Sequence, residues 1–266
     1  MIGQKNNLEF IEKLSNDNTP HFIIIVGGKG SGKTTLARII ADKLNATFSI
    51  CGTKVDNIRE VIDTAYGVRD KVVYCIQDGD TMRSEAKNAM LKITEEPPTN
   101  AYFILTVTDE STLLATIKSR AIVMFIEPYT ESELKEYYKQ NYTTADSDCD
   151  IICSIATTPY EVDKMVEYGG DFLDYVELVL DNIAEVEPAN AFKSAGKLAL
   201  KTDEGYELVL FLNTIVSLCS LRIRQGDYKY ARGIIVTLEA LKDAKRIGIN
   251  RQQVYDKWVF NIREVL

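Results

Sequence analysis

The chain has one histidine, His21, in 266 residues. It precedes the first apolar run and has no catalytic partner in sight. A structural role is expected for it. No run approaches the roughly 18 consecutive apolar residues of a membrane span, and the opening "MIGQKNNLEF" lacks the charged start and long apolar stretch of a secretory signal. A cytoplasmic protein with no membrane partner is therefore expected. Positive charge is also short: 31 basic against 39 acidic residues give a net charge of -8, which argues against coating nucleic acid by bulk attraction and leaves room for a local basic face. Five cysteines, Cys51, Cys75, Cys149, Cys153 and Cys219, are scattered through apolar sequence, and the Cys149/Cys153 pair lacks the second pair that a zinc site requires. They read as reduced, buried thiols. There is no internal repeat and no low-complexity tract.

What is present is a globular composition, 45% hydrophobic and 26% charged, with enough length for one large domain or two to three small ones. Apolar residues from Leu8 to Leu14 fall at helical spacing, "SNDNTP" breaks the pattern, and residues 22–26 form an apolar, largely β-branched run that reads as a buried strand. "TTLARIIADKLN" sets Leu36, Ile39, Ile40 and Leu44 on one helix face, ended by Asn45. "DNIREVIDTAYG" reads as a helix, "KVVYCIQ" as a second strand, "RSEAKNAMLKITEE" as a helix stopped by Pro97 and Pro98, and "AYFILTVT" as a third strand. "AIVMFIE" is a further apolar run ending at Pro128. Strands alternating with helices imply a parallel sheet, covered on both faces and with its strands fully buried.

Beyond Pro128 helical periods take over: "TESELKEYYKQ", "CDIICSIA", "PYEVDKMVEYG" and longer helices to Leu266. The polar "NYTTADSDCD" between them reads as a loop, and "EYGG" at Gly169 and Gly170 as a boundary. The expected architecture is α/β, with a P-loop parallel-sheet domain over residues 1–127, a small helical unit over 128–170 and a C-terminal helical bundle over 171–266.

Between the first strand and its helix, Gly27, Gly32, Lys33 and Thr34 satisfy G-x-x-x-x-G-K-[ST] in the context the motif requires. Glycines let backbone N–H groups turn toward phosphate oxygens, Lys33 reaches the terminal phosphates, and the Thr34 hydroxyl is a magnesium ligand. The nucleotide contacts expected from this loop are Gly28, Gly30, Ser31, Gly32, Lys33, Thr34 and Thr35, with ATP and Mg²⁺ as cofactors.

"VVYCIQDGD", "SEAKNAMLKITEEPP", "FILTVTD" and "LLATIKSR", in that order, resemble the AAA+ domain of DNA clamp-loader subunits: the bacterial DNA polymerase III gamma/tau and delta-prime subunits and replication factor C. "NAMLKITEEPP" followed by "TIKSR" is the specific part. The resemblance is close over about residues 1–127 and weaker beyond, where "YTESEL" and "IATTPYEVDKMV" look like the family's lid and the remainder like a shortened collar, the oligomerisation domain. It implies partnership with other clamp-loader subunits in a ring, a sliding clamp and primed-template DNA.

Carried onto matching positions, the resemblance gives Thr108 as the sensor of the γ phosphate, Arg120 in "KSRA" as a finger reaching a neighbouring subunit's ATP, and Lys87 as a residue coupling DNA contact to the acidic motif. A strand-end threonine capping its own loop, a solvated surface arginine and an exposed helical lysine are the plainer accounts of the same residues. Where the family has D-E-A-D, with the first Asp supporting Mg²⁺ and the Glu orienting water, this chain has Gln77, Asp78, Gly79 and Asp80. Asp78 is left as catalytic carboxylate and, with Thr34, as metal contact. The lid's usual arginine is replaced by Tyr160, and the family's zinc module is missing, Cys51 standing alone in a short connection, so no zinc is expected. Whether the chain is an enzyme stays open. A delta-prime-like subunit with little hydrolysis, an active gamma-type ATPase, and a nucleotide-binding AAA+ scaffold or regulator outside replication are the three readings.

Overall fold

The apolar run after His21 forms β1 (Phe22–Val26), buried at all five positions. In the computed structural model, which describes residues 1–15, 18–143, 146–183, 197–200, 205–245 and 248–266, β1 is joined by β2 (Thr47–Cys51), β3 (Val72–Ile76), β4 (Ala101–Val107) and β5 (Ile122–Phe125). The five strands form one sheet in the order β2-β3-β4-β1-β5, and every pair is parallel. Side chains alternate across it. Phe22, Ile24 and Val26 pack with α3 (Val55–Ala65), α4 (Ser84–Glu95) and α5 (Ala115–Lys118), while Ile23 and Ile25 pack with α1 (Lys5–Glu12) and α2 (Lys33–Lys43). Each fully buried Ile of this layer contributes about 1.5–3 kcal/mol.

Register positions the site. Val26 pairs with Val107 and Ile76 with Leu105, so the segments leaving β1, β3 and β4 emerge together at the carboxyl edge of the sheet, the side on which open parallel sheets bind ligands.

Two expectations for this half are corrected. "KVVYCIQ" is the third strand, because Thr47–Cys51 precedes it as β2, and Cys51 ends that strand rather than standing in a connection. Complete strand burial holds for the central β1 and β4 only. β2 and β5 are sheet edges, with Ile50 at 50% and Phe125 at 56% exposure. At the edge β2 is only half covered, and polar Thr47 and Ser49 share the face of buried Cys51.

The contacts divide the chain into Met1–Tyr129 and Thr130–Leu266. In the second unit α6 (Glu131–Asn141) opens with a capping box between Thr130 and Glu133, and α8 (Pro159–Tyr168) with Thr158 at its N-cap and proline in the first turn. Gly169, at φ 70°, passes the chain directly into α9 (Gly170–Asn182). The stretch "NYTTADSDCD" is not loop throughout: residues 144 and 145 lie outside the described residues, and α7 (Asp146–Ile155) starts immediately after them. Asp and Ser serve helix starts as readily as loops, and the buried Cys149, Ile152 and Cys153 set the helical period. The C-terminal helices α10 (Leu208–Arg224), α11 (Tyr230–Ala244) and α12 (Arg251–Arg263) close around Phe211 and Trp258, whose rings meet edge-to-face at 5.4 Å. The indole N–H of Trp258 donates to Thr237 Oγ1 at 3.0 Å. Among the described residues no helix is long and apolar enough to cross a membrane.

Candidate nucleotide-binding site

β1 runs into the glycine loop and the loop into α2, whose N-cap, Gly32, has φ 93° and ψ 16°. Gly30 is also left-handed, at φ 71°, and only glycine takes such angles without strain. Tyr129 donates to the carbonyl of Ser31 at 2.9 Å, and buried Ser31 donates its own hydroxyl to Gly28 O at 2.9 Å. These bonds hold the loop from behind. Lys33 lies along it, its ammonium donating to Gly27 O at 2.8 Å and Gly28 O at 2.7 Å. Burial lowers the Lys33 pKa from its ordinary value, with Asp78 and Asp80 pulling in the opposite direction. The first turn of α2 thus presents free N–H groups and a partly desolvated cation to the same space, the arrangement that favours an anion.

That space is a cavity of about 370 Å³, lined by Lys29, Gly30, Gly32, Lys33, Thr34, Thr35, Gln77, Asp78, Thr106 and Thr108. Gln77 and Asp78 enter it because β3 ends at Ile76. Gln77 Nε2 donates to Thr34 Oγ1 at 2.9 Å. Asp78 is a non-glycine residue in left-handed conformation, φ 54° and ψ 49°, with its N–H donating to Thr106 Oγ1 at 3.3 Å. A residue in that region is strained and is retained only where its surroundings hold it.

Asp80 does not line the cavity. Its carboxylate accepts from Thr108 N at 2.6 Å, Asp109 N at 3.2 Å and Thr112 Oγ1 at 3.1 Å, clamping the end of β4. Lys87, on α4, donates to the carbonyl of Thr112, so it connects with the cavity wall through Thr112, Asp80 and Thr108. Arg120 is on the surface, bonded to Thr116 O at 3.1 Å and to Glu95 at 3.3 Å, with 39% of its side chain exposed.

Of the residues read from sequence, Gly30, Gly32, Lys33, Thr34, Thr35, Asp78 and Thr108 meet at the cavity. Gly28 and Ser31 shape the loop behind it, while Lys87 and Arg120 lie outside. Thr106 was missed. It is 1% exposed, and the signal was the pair Thr106 and Thr108 two apart in a strand, which places both side chains on one face.

Among the described residues no group of three or more His, Cys, Asp or Glu is placed to hold a metal ion. Magnesium usually takes one or two carboxylates beside phosphate oxygens and waters. Here the Thr34 hydroxyl already accepts an amide hydrogen from Gln77, and the charge of Asp78, the carboxylate on the cavity wall, acts on Lys33. With a single carboxylate, this donor set sits at the lower limit of an ordinary magnesium site.

A parallel sheet in this order, a glycine loop feeding a helix at its carboxyl edge and a following helical unit define the P-loop AAA+ fold. Residues 49–130 match the family model described as DNA polymerase III, delta subunit. The DNA polymerase III subunit gamma of Buchnera aphidicola (subsp. Schizaphis graminum) is 30% identical over 171 residues, 52% of this chain and 47% of that one. The tau subunit of Escherichia coli K12 is 26% identical over 167 residues, 51% of this chain and 26% of that one. The first half of the chain is therefore similar to the AAA+ domain of clamp-loader subunits, and the match spans less than half the length of these relatives. In fold, the chain is similar to a DNA polymerase III gamma subunit-related protein of Thermotoga maritima, with a TM-score of 0.55 at 15% identity over 97% of this chain and 99% of that one. It is likewise similar to the Thermotoga maritima RuvB Holliday junction branch migration motor, with a TM-score of 0.54 at 19% identity over 97% of this chain and 87% of that one.

Proposed function

We propose that this protein is a subunit of a clamp-loader complex in DNA replication that binds ATP and hydrolyses it weakly or not at all, in the manner of a delta-prime subunit. The observation that carries the reading is the contrast within one cavity. The phosphate side is complete, from the left-handed glycines to Lys33, whereas the acidic side offers a neutral amide at Gln77 and a short carboxylate at Asp78. Phosphoryl transfer is driven by positioning and by charge stabilisation. A carboxylate one methylene shorter than glutamate, on a left-handed backbone anchored to Thr106, holds water farther from the γ phosphate.

In this reading the phosphates lie on the N–H groups of residues 30–35 and on Lys33. Thr108, oriented by Asp80, senses the γ phosphate, and Mg²⁺ arrives as the nucleotide's own counter-ion near Thr34 and Asp78. No zinc takes part. Arg120, exposed and outside its own cavity, is offered to a neighbouring subunit's ATP. Lys87 couples primed-template DNA to the cavity wall. Residues 128–170 act as lid and 171–266 as the collar that joins other clamp-loader subunits, the ring opening a sliding clamp in the cytoplasm.

The test is ATP binding and turnover by the purified chain, with and without primed DNA, beside Lys33→Ala. Binding that is lost in the variant, with turnover near the buffer rate, is expected. DNA-stimulated turnover would instead establish the second reading, an active gamma-type ATPase, which the gamma-subunit relatives favour.

A further inference from the structure

We infer that Gln77 uncouples nucleotide binding from magnesium, so that this site takes the metal-free nucleoside polyphosphate about as well as its magnesium complex. The inference rests on the nucleotide reading above and concerns how that site recognises its ligand. A nucleoside triphosphate free of metal carries close to four negative charges, and a carboxylate beside its terminal phosphate repels it unless a divalent cation stands between them. At the end of β3 this chain has an amide in that place, and its Nε2 is hydrogen-bonded to Thr34 Oγ1 at 2.9 Å. Three consequences follow from the geometry.

The repulsion is absent, because the amide carries no charge in either orientation. The metal's first protein donor is weakened, because the Thr34 hydroxyl accepts the hydrogen of Gln77 on one of its two lone pairs and keeps only the other for a cation. The second amide hydrogen of Gln77, at the cavity wall, is a donor for a phosphate oxygen, where a carboxylate could only accept. Positive charge for the anion comes from the chain itself. Lys33 sits among loop carbonyls that are poorer partners than phosphate, and Lys29 stands at the same wall. Asp78 keeps a negative charge at the same wall as Lys33, and because wild type and both acidic variants share it, it does not enter the comparison between them.

The experiment is titration of the full chain with N-methylanthraniloyl-ADP and -ATP, in magnesium and again in EDTA, for wild type, Gln77→Asp, Gln77→Glu and Lys33→Ala. The wild-type Kd should change by less than about threefold between the two conditions. Either acidic variant should bind at least about tenfold more weakly in EDTA than in magnesium. Gln77→Glu guards against a folding defect specific to aspartate, and circular dichroism confirms that each variant is folded. A wild-type affinity that falls tenfold or more in EDTA overturns the inference and leaves the nucleotide reading standing. So does an acidic variant, folded and binding, that shows no greater metal dependence than wild type. Absence of Lys33-dependent binding in both conditions overturns the nucleotide reading, and this inference with it.

Discussion

Replacing Gly79 by alanine restores the residue that the acidic box of the resembling family carries, and it should destabilise this protein. Gly79 is buried at the start of a 3-10 turn, Gly79–Thr81. A Cβ there would lie 2.7 Å from Leu105 Cδ1 and 2.9 Å from Val107 Cγ1. Both partners are 0% exposed on the central strand β4, so neither can swing into solvent, and relief has to come from displacing the turn. Overpacking of this kind costs about 1–3 kcal/mol. Alanine returns about 0.4–1 kcal/mol by restricting the unfolded chain, leaving a net loss of up to about 2.6 kcal/mol, centred near about 1.3 kcal/mol, or roughly a tenfold change in the folded-to-unfolded ratio. The assay is hydrogen exchange of the β4 amides in the full chain, which should quicken by that factor. Tryptophan fluorescence is the wrong probe, because Trp258, the single tryptophan, belongs to the second unit. Gly28→Ala is the control: a Cβ there meets nothing within 4 Å, and its effect should stay within about 0.5 kcal/mol. Unchanged or slower β4 exchange in Gly79→Ala, or an equal effect at Gly28, would refute the reasoning.

Arg120→Ala removes bonds to Thr116 O and an exposed pair with Glu95, so stability should move by less than about 1 kcal/mol and the chain's own nucleotide affinity should hold. ATP turnover by the assembled complex should fall by about 10³-fold or more, and equal turnover with and without Arg120 would remove it from the neighbour's site. At alkaline pH the buried thiols set the sign. Burial pushes Cys75 up to about 12 and Cys219 up to about 11, from an ordinary 9.0. The unfolded chain therefore loses these protons first, and stability should decline as pH rises above 9, by up to about 1.4 kcal/mol per pH unit for each thiol until its folded pKa is reached. Urea midpoints measured across that range would report it, and a midpoint that rises through the interval would contradict the assignment.

Local rules made part of this structure legible in its residues. β1 and β4 are continuous apolar runs because both faces of the central sheet are covered, and the glycine loop is legible because left-handed angles at Gly30 and Gly32 admit little else. β2 was not legible. It lies at the sheet edge with Ile50 half exposed, so its inner-face pattern is too short and too polar to read as a strand. α7 began ahead of its expected start because Asp and Ser suit a helix start and a loop equally. In the site, residue types could be read but partners could not. The Gln77–Thr34 bond spans 43 residues of sequence, and the Asp80 clamp on Thr108 spans 28. Both contacts exist only through the parallel register of β1, β3 and β4. Asp80 reads in sequence as a member of an acidic motif, whereas its oxygens are committed to the end of β4.

The departure at Gln77 acts on charge, and the one at Gly79 acts on packing. Gly79 lets the turn lie directly on Leu105 and Val107, and that approach brings Asp80 within reach of the amides of Thr108 and Asp109. Thr106 in turn holds the N–H of Asp78, fixing a left-handed residue at the cavity wall. A left-handed aspartate and a buried glycine are costly to a fold unless their surroundings support them. Here they are supported by hydrogen bonds and close packing, while a neutral amide at Gln77 stands in the position where the family's acidic box places its metal-supporting aspartate. On the reading proposed above, this cradle holds a nucleotide on its phosphate side while the altered charge at Gln77 slows its splitting.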